Sequence, residues 1–161
     1  MATHVKYFLI SIVLLLIQTT IVRLLALEGI TPDIVVIWIV YIALKQGQTQ
    51  ATLWGFGIGL LFDFVTGNFI GLSALTKTLA GFFAGYFFSE NKTQLTLGSY
   101  RFLIIVFFTS LIHNTVYFII FTRGTEIGLV RAVLEFGIAT TLYTATVTLL
   151  PMFAFARKYL V

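Results

Sequence analysis

Two ionisable residues stand inside apolar stretches where charge is expensive. Asp63 closes the run Trp54-Gly55-Phe56-Gly57-Ile58-Gly59-Leu60-Leu61-Phe62-Asp63, and Lys77 lies in the next apolar stretch. A charged side chain near the centre of a bilayer costs at least about 2.5 kcal/mol, so each calls for a partner. The spacing supplies one. Gly55, Gly59 and Asp63 recur at every fourth residue and share a helix face, as do Lys77, Gly81 and Gly85. Faces of small residues allow two helices to approach closely. Two such faces in contact bring Asp63 opposite Lys77, and the expectation is an intramembrane ion pair between them. It reads either as a bridge that sets the register of two helices or as a polar site for a ligand or partner. The residues alone leave both open.

His113-Asn114 also falls within an apolar segment, but the only other histidine is His4, near the N-terminus. One imidazole is a poor metal site, so the pair is expected to make an interhelical hydrogen bond or a partner contact. Arg131 and Glu135, four residues apart, read as an exposed helical pair at a membrane boundary. No serine nucleophile elbow, HExxH, phosphate loop or pair of catalytic carboxylates occurs, and there is no cysteine. The sequence therefore reads as non-catalytic, with no cofactor and no metal. The 17 Phe and 7 Tyr residues suit lipid-facing surfaces and interfacial belts as well as any ligand cage.

The elements that must position these residues follow from composition. The chain is 59% hydrophobic and 10% charged, with a mean hydropathy of +1.03, whereas soluble domains carry charge at about a quarter of positions. The solvent is a lipid bilayer. The net charge of +4 comes from scattered cations, without the clustered stripe of a nucleic-acid footprint. No linker divides residues 1–161, which read as one polytopic, all-α membrane domain. A spanning helix needs about 20 mainly apolar residues, and six segments approach this, near 5–27, 32–46, 51–66, 70–88, 101–122 and 129–155. Six spans is the reading. The second and third segments are short, and five spans result if they form a partly inserted hairpin.

Lys6 precedes an apolar run, but no A-x-A-like cleavage site follows, so the first segment is read as a retained helix. Thr31-Pro32-Asp33 is expected to open the second segment, with Thr31 as N-cap and Pro32 at the first helical position. An even number of spans leaves both termini on one side, flanked by Lys6, Lys45, Lys92, Arg101, Arg157 and Lys158. Arg23, Arg123 and Arg131 flank the other side. The positive-inside rule then puts both termini in the cytoplasm.

The stretch from Thr31 to Phe88 resembles the rod-shape-determining MreD family. The match runs through Thr31-Pro32-Asp33, Tyr41, Gly55-Phe56, Gly59-Leu60-Leu61, Asp63, Gly67, Gly71-Leu72 and Ala74-Leu75. Onto this chain the motif carries Pro32, Asp33, Gly55, Gly59, Asp63, Gly67 and Gly71. The resemblance implies a scaffold subunit of the bacterial cell-elongation complex in the inner membrane. Such a subunit would bind an MreC-like single-span protein and help organise peptidoglycan synthesis. It would lie close to a RodA-type glycosyltransferase with its transpeptidase and to the actin-like MreB filament. The family is also similar in helical layout to the substrate-binding subunits of energy-coupling-factor vitamin transporters, which keeps small-molecule uptake as the alternative. The first helix, however, lacks the alanines spaced by three that such subunits use for docking. An ion channel through Asp63, Lys77 and His113 is a third reading, with too few polar positions in line to favour it.

Overall fold

A computed structural model describes residues 2–67, 69–124 and 128–160. The side chain of Lys158, and Asn68 and Glu126 in the expected loops, lie outside the described residues. All regular structure among those residues is helical: α1 (Ala2–Thr19), α2 (Ile21–Leu24), α3 (Ile34–Gln46), α4 (Gln48–Thr66), α5 (Leu72–Gly85), α6 (Thr93–Leu97), α7 (Tyr100–Phe121), a 3-10 turn (Thr122–Gly124), α8 (Leu129–Arg131), a π segment (Ala132–Gly137) and α9 (Ile138–Leu160).

The chain runs back and forth between two ends. At the first end the start of α1 meets the junction of α3 and α4, where Tyr7 lies against Gln46 and His4 stacks on Trp54. Phe155 of α9 stacks on Tyr41 of α3 and abuts Phe102 of α7 there. At the second end the close of α1 and the start of α3 join through Gln18, whose amide donates to the Pro32 carbonyl (2.9 Å) and accepts from Ile34 N–H (2.9 Å).

Three stretches, Thr3–Leu24, Tyr100–Phe121 and Leu129–Arg157, are long and apolar enough to cross a membrane. Helix α3, with 13 residues, spans about 20 Å. It sits at the centre, touching α1, α4, α5, α7 and α9. Its residues Val35, Val36, Ile39, Val40, Ile42, Ala43 and Leu44 are at most 1% exposed, as befits a helix that is apolar all round. Helix α4 starts three residues before the expected 51, so polar Gln48-Thr49-Gln50 complete its 19 residues.

The second segment opens later than expected. Asp33, not Thr31, is the N-cap of α3: its backbone is extended and its carboxylate accepts from Val36 N–H at 3.0 Å. Pro32 therefore stands before the cap. The short α6 was not foreseen in the polar loop. It is anchored by the Thr93 hydroxyl, which donates to the Leu44 carbonyl (3.0 Å).

Among the described residues, helices α4 and α5 form the tightest pair. A Cβ at Gly55 would fall on the Lys77 carbonyl, at Gly59 on Ser73, at Gly81 on the Ala51 carbonyl and at Gly85 on Gln48. The two faces of small residues thus meet along an antiparallel seam in which backbone touches backbone.

Candidate functional site: a buried polar junction

Apolar helices closing on one another leave any polar group between them without water. Such groups must satisfy one another. At the second end of the bundle Asp33, Lys77, His113 and Asn114 do so, drawn from α3, α5 and α7. The Lys77 ammonium donates to Asp33 Oδ2 at 2.9 Å and faces His113 Nε2 at 3.4 Å. It also stands 4.9 Å from the centre of the Phe62 ring, a cation–π distance. Lys77 is only 2% exposed.

The proton directions can be read along the chain of contacts. An ammonium only donates, so the His113 Nε2 facing it accepts, which places the ring proton on Nδ1. Nδ1 then donates to Asn114 Oδ1 at 3.2 Å. The Asn114 amide donates onward to Thr141 Oγ1 (2.9 Å) and Ser110 Oγ (3.2 Å), and Thr141 in turn donates to the Gly137 carbonyl at 2.8 Å. Gly137 ends the π segment, so α7 is tied to the point where α9 begins. Asp33 N–H donates to Thr144 Oγ1 at 2.9 Å and closes the link from α3 to α9.

The expected Asp63–Lys77 pair does not form. Lys77 pairs with Asp33, and Asp63 instead caps α5: its carboxylate accepts from the N–H groups of Gly71 (2.9 Å), Ser73 (3.1 Å) and Ala74 (3.2 Å). Register explains the difference. Gly55 lies level with Lys77 and Gly59 with Ser73, so Asp63, one turn further, lies level with the turn before α5. The free N–H groups of a helix start attract a carboxylate there. Gly67 (φ 68°) and Gly71 (φ 99°) make that turn in the left-handed region that glycine adopts without strain.

A cavity of ≈ 240 Å³ adjoins the junction, with Asp33, Lys77, His113 and Asn114 on its polar side and Phe62, Tyr117, Phe118 and Phe136 among its aromatic walls. Among the described residues no cluster of three or more metal-ligating side chains occurs. Arg131 and Glu135 pair at 2.7 Å on an exposed surface.

Sequence reasoning missed Gln18, Thr141, Thr144 and the Asp33–Lys77 partnership. Only Asp33 left a signal: as a carboxylate at a helix start it lies at the same end of an alternating bundle as Asp63.

An all-helical bundle with spanning-length apolar helices and a self-satisfied polar junction defines a helical membrane protein. The chain belongs to the rod shape-determining protein MreD family, which it matches over residues 2–159. No curated protein matches it, and no solved structure does.

Proposed function

We propose that this protein is a non-catalytic scaffold of the cell-elongation complex in the bacterial inner membrane. In this reading it binds an MreC-like single-span protein and helps organise peptidoglycan synthesis near a RodA-type enzyme with its transpeptidase and near MreB. The observation that carries the reading is the family match over residues 2–159. The geometry agrees with it: the charged groups of the junction engage one another, which is the chemistry of a rigid frame. Six segments cross the membrane in this reading, with α3 at the centre, α4 and α5 packed as a pair against it, and both termini in the cytoplasm. Lys45, Lys92, Arg101, Arg157 and Lys158 then face cytoplasmic elements.

The test is purification of the tagged protein from inner membranes in mild detergent, with mass spectrometry of what accompanies it. An MreC-like protein at comparable stoichiometry is the expected result. Its absence, with the protein itself folded, would end the scaffold reading.

The ≈ 240 Å³ cavity with its Asp33, Lys77 and His113 lining favours a second reading, a substrate-binding subunit for small-molecule uptake with a layout like that of the energy-coupling-factor subunits. It requires an ATPase-linked coupling subunit, or a retained small molecule that raises thermal stability. Either one in the same mass spectra would move the function to transport.

A further inference from the structure

The first end of the bundle carries a charge imbalance that the polar junction does not use. Lys6, Lys45, Lys92, Arg101 and Arg157 fall near that end of their segments, with Glu90 as the acidic residue beside them. Lys92 and Arg101 are exposed and form no ion pair among the described residues. They line one cavity of ≈ 310 Å³ between the close of α5, α6 and the start of α7, together with Ser89, Thr96, Phe87 and Ile104.

The lining divides by chemistry. Two cations and the Ser89 hydroxyl offer donors to an anion, while Phe87 and Ile104, each 44% exposed, offer apolar surface beside them. Along α7 the apolar surface continues: Arg101, Ile104 and Phe108 share a face at helical spacing, and Phe108 is 49% exposed. One stripe thus runs from a guanidinium at the helix start into the apolar body of a spanning helix. A free phosphate would use only the first part of this surface. A phospholipid uses all of it.

We propose that the cavity between α5, α6 and α7 is a binding site for an anionic phospholipid of the surrounding leaflet. Lys92 and Arg101 hold its phosphate, and Ile104 and Phe108 flank its acyl chain. Basic pockets between membrane helices recognise anionic head groups in this way, with each cation near the surface strengthening binding about fivefold. The site requires no second protein, and it gives Lys92 and Arg101, which the scaffold reading turns toward cytoplasmic elements, a lipid phosphate as their partner.

The test uses the full-length protein in a neutral detergent and follows its thermal midpoint while phosphatidylglycerol, phosphatidylethanolamine or inorganic phosphate is added. Phosphatidylglycerol should raise the midpoint at concentrations where the other two do not. Lys92→Gln and Arg101→Gln should each raise the phosphatidylglycerol concentration needed about fivefold. Arg157→Gln, which removes a cation from the same end but not from the cavity, should leave it unchanged. Equal stabilisation by phosphatidylethanolamine would overturn the proposal, as would equal stabilisation by inorganic phosphate. So would an undiminished preference for phosphatidylglycerol in the Lys92→Gln/Arg101→Gln double variant, or a matching loss in Arg157→Gln. The midpoints without added lipid show whether each variant is folded.

Discussion

Asp33 caps α3, neutralises Lys77 and, through its backbone N–H, holds Thr144 of α9. Asp63 does one thing, capping α5 through its neighbours' N–H groups. The two carboxylates therefore differ in what their removal leaves behind. Asp33→Asn strands a buried ammonium, which costs about 3–5 kcal/mol, so the thermal midpoint in detergent should fall steeply. Adding Lys77→Met to Asp33→Asn removes the stranded charge and should recover much of the loss. Asp63→Asn keeps one acceptor oxygen at the helix start and should cost about 1–2 kcal/mol, the scale of a lost cap. Lys77→Met should not rescue it. In a double-mutant cycle, then, Asp33 couples to Lys77 while Asp63 and Lys77 add. Coupling of Asp63 rather than Asp33 would show that the bridge lies where the spacing alone had suggested.

At the scale of elements, what was legible in the sequence was periodic and local. Glycines at every fourth residue marked the α4 and α5 faces, and the structure brings those faces together along one seam. The stagger of that seam was not legible. Spacing fixes which residues share a face, but the level at which two helices meet depends on the turn between them, and the turn from Gly67 to Gly71 sets Asp63 beside the start of α5 instead of beside Lys77. Gln18, Thr141 and Thr144 were hidden for a related reason: polar side chains at single positions of long apolar helices carry no period, and only the fold brings them to Asp33 and Asn114. The seam makes a sharp prediction. Gly59→Ala drives a Cβ into the backbone of Ser73 and Ala74, whereas a Cβ at Gly57 meets nothing within 4 Å. The first change should force α4 from α5 and cost about 1–3 kcal/mol. The second should be neutral or stabilise by up to about 1 kcal/mol, because alanine favours the helix. Thermal midpoints of the two variants measure the contrast, and equal effects would mean the seam does not limit packing.

For the whole molecule, the arrangement of ends converts charge into orientation. The start of α1, the junction of α3 and α4, the start of α7 and the close of α9 share one end, through Tyr7, Trp54, Phe102 and Phe155. That end gathers Lys6, Lys45, Lys92, Arg101 and Arg157, while Arg23, Arg123 and Arg131 belong to the segments of the other end. In the proposed orientation the richer end stays in the cytoplasm, because cations resist translocation. Three helices are long enough to cross by themselves; the shorter α3 and α5 pack against each other, against α4 and against α7. The absence of cysteine from the sequence makes this testable with single introduced thiols. Thr3→Cys and Arg157→Cys should be shielded in intact cells from a thiol reagent that cannot cross the inner membrane, and should react once that membrane is opened. Leu27→Cys and Val130→Cys, exposed residues of the opposite end, should react without opening it. Thr3 and Leu27 reacting from the same side would mean that the first segment does not cross. Reversal of all four would keep the fold and overturn the orientation, leaving Lys92 and Arg101 to face the outer leaflet.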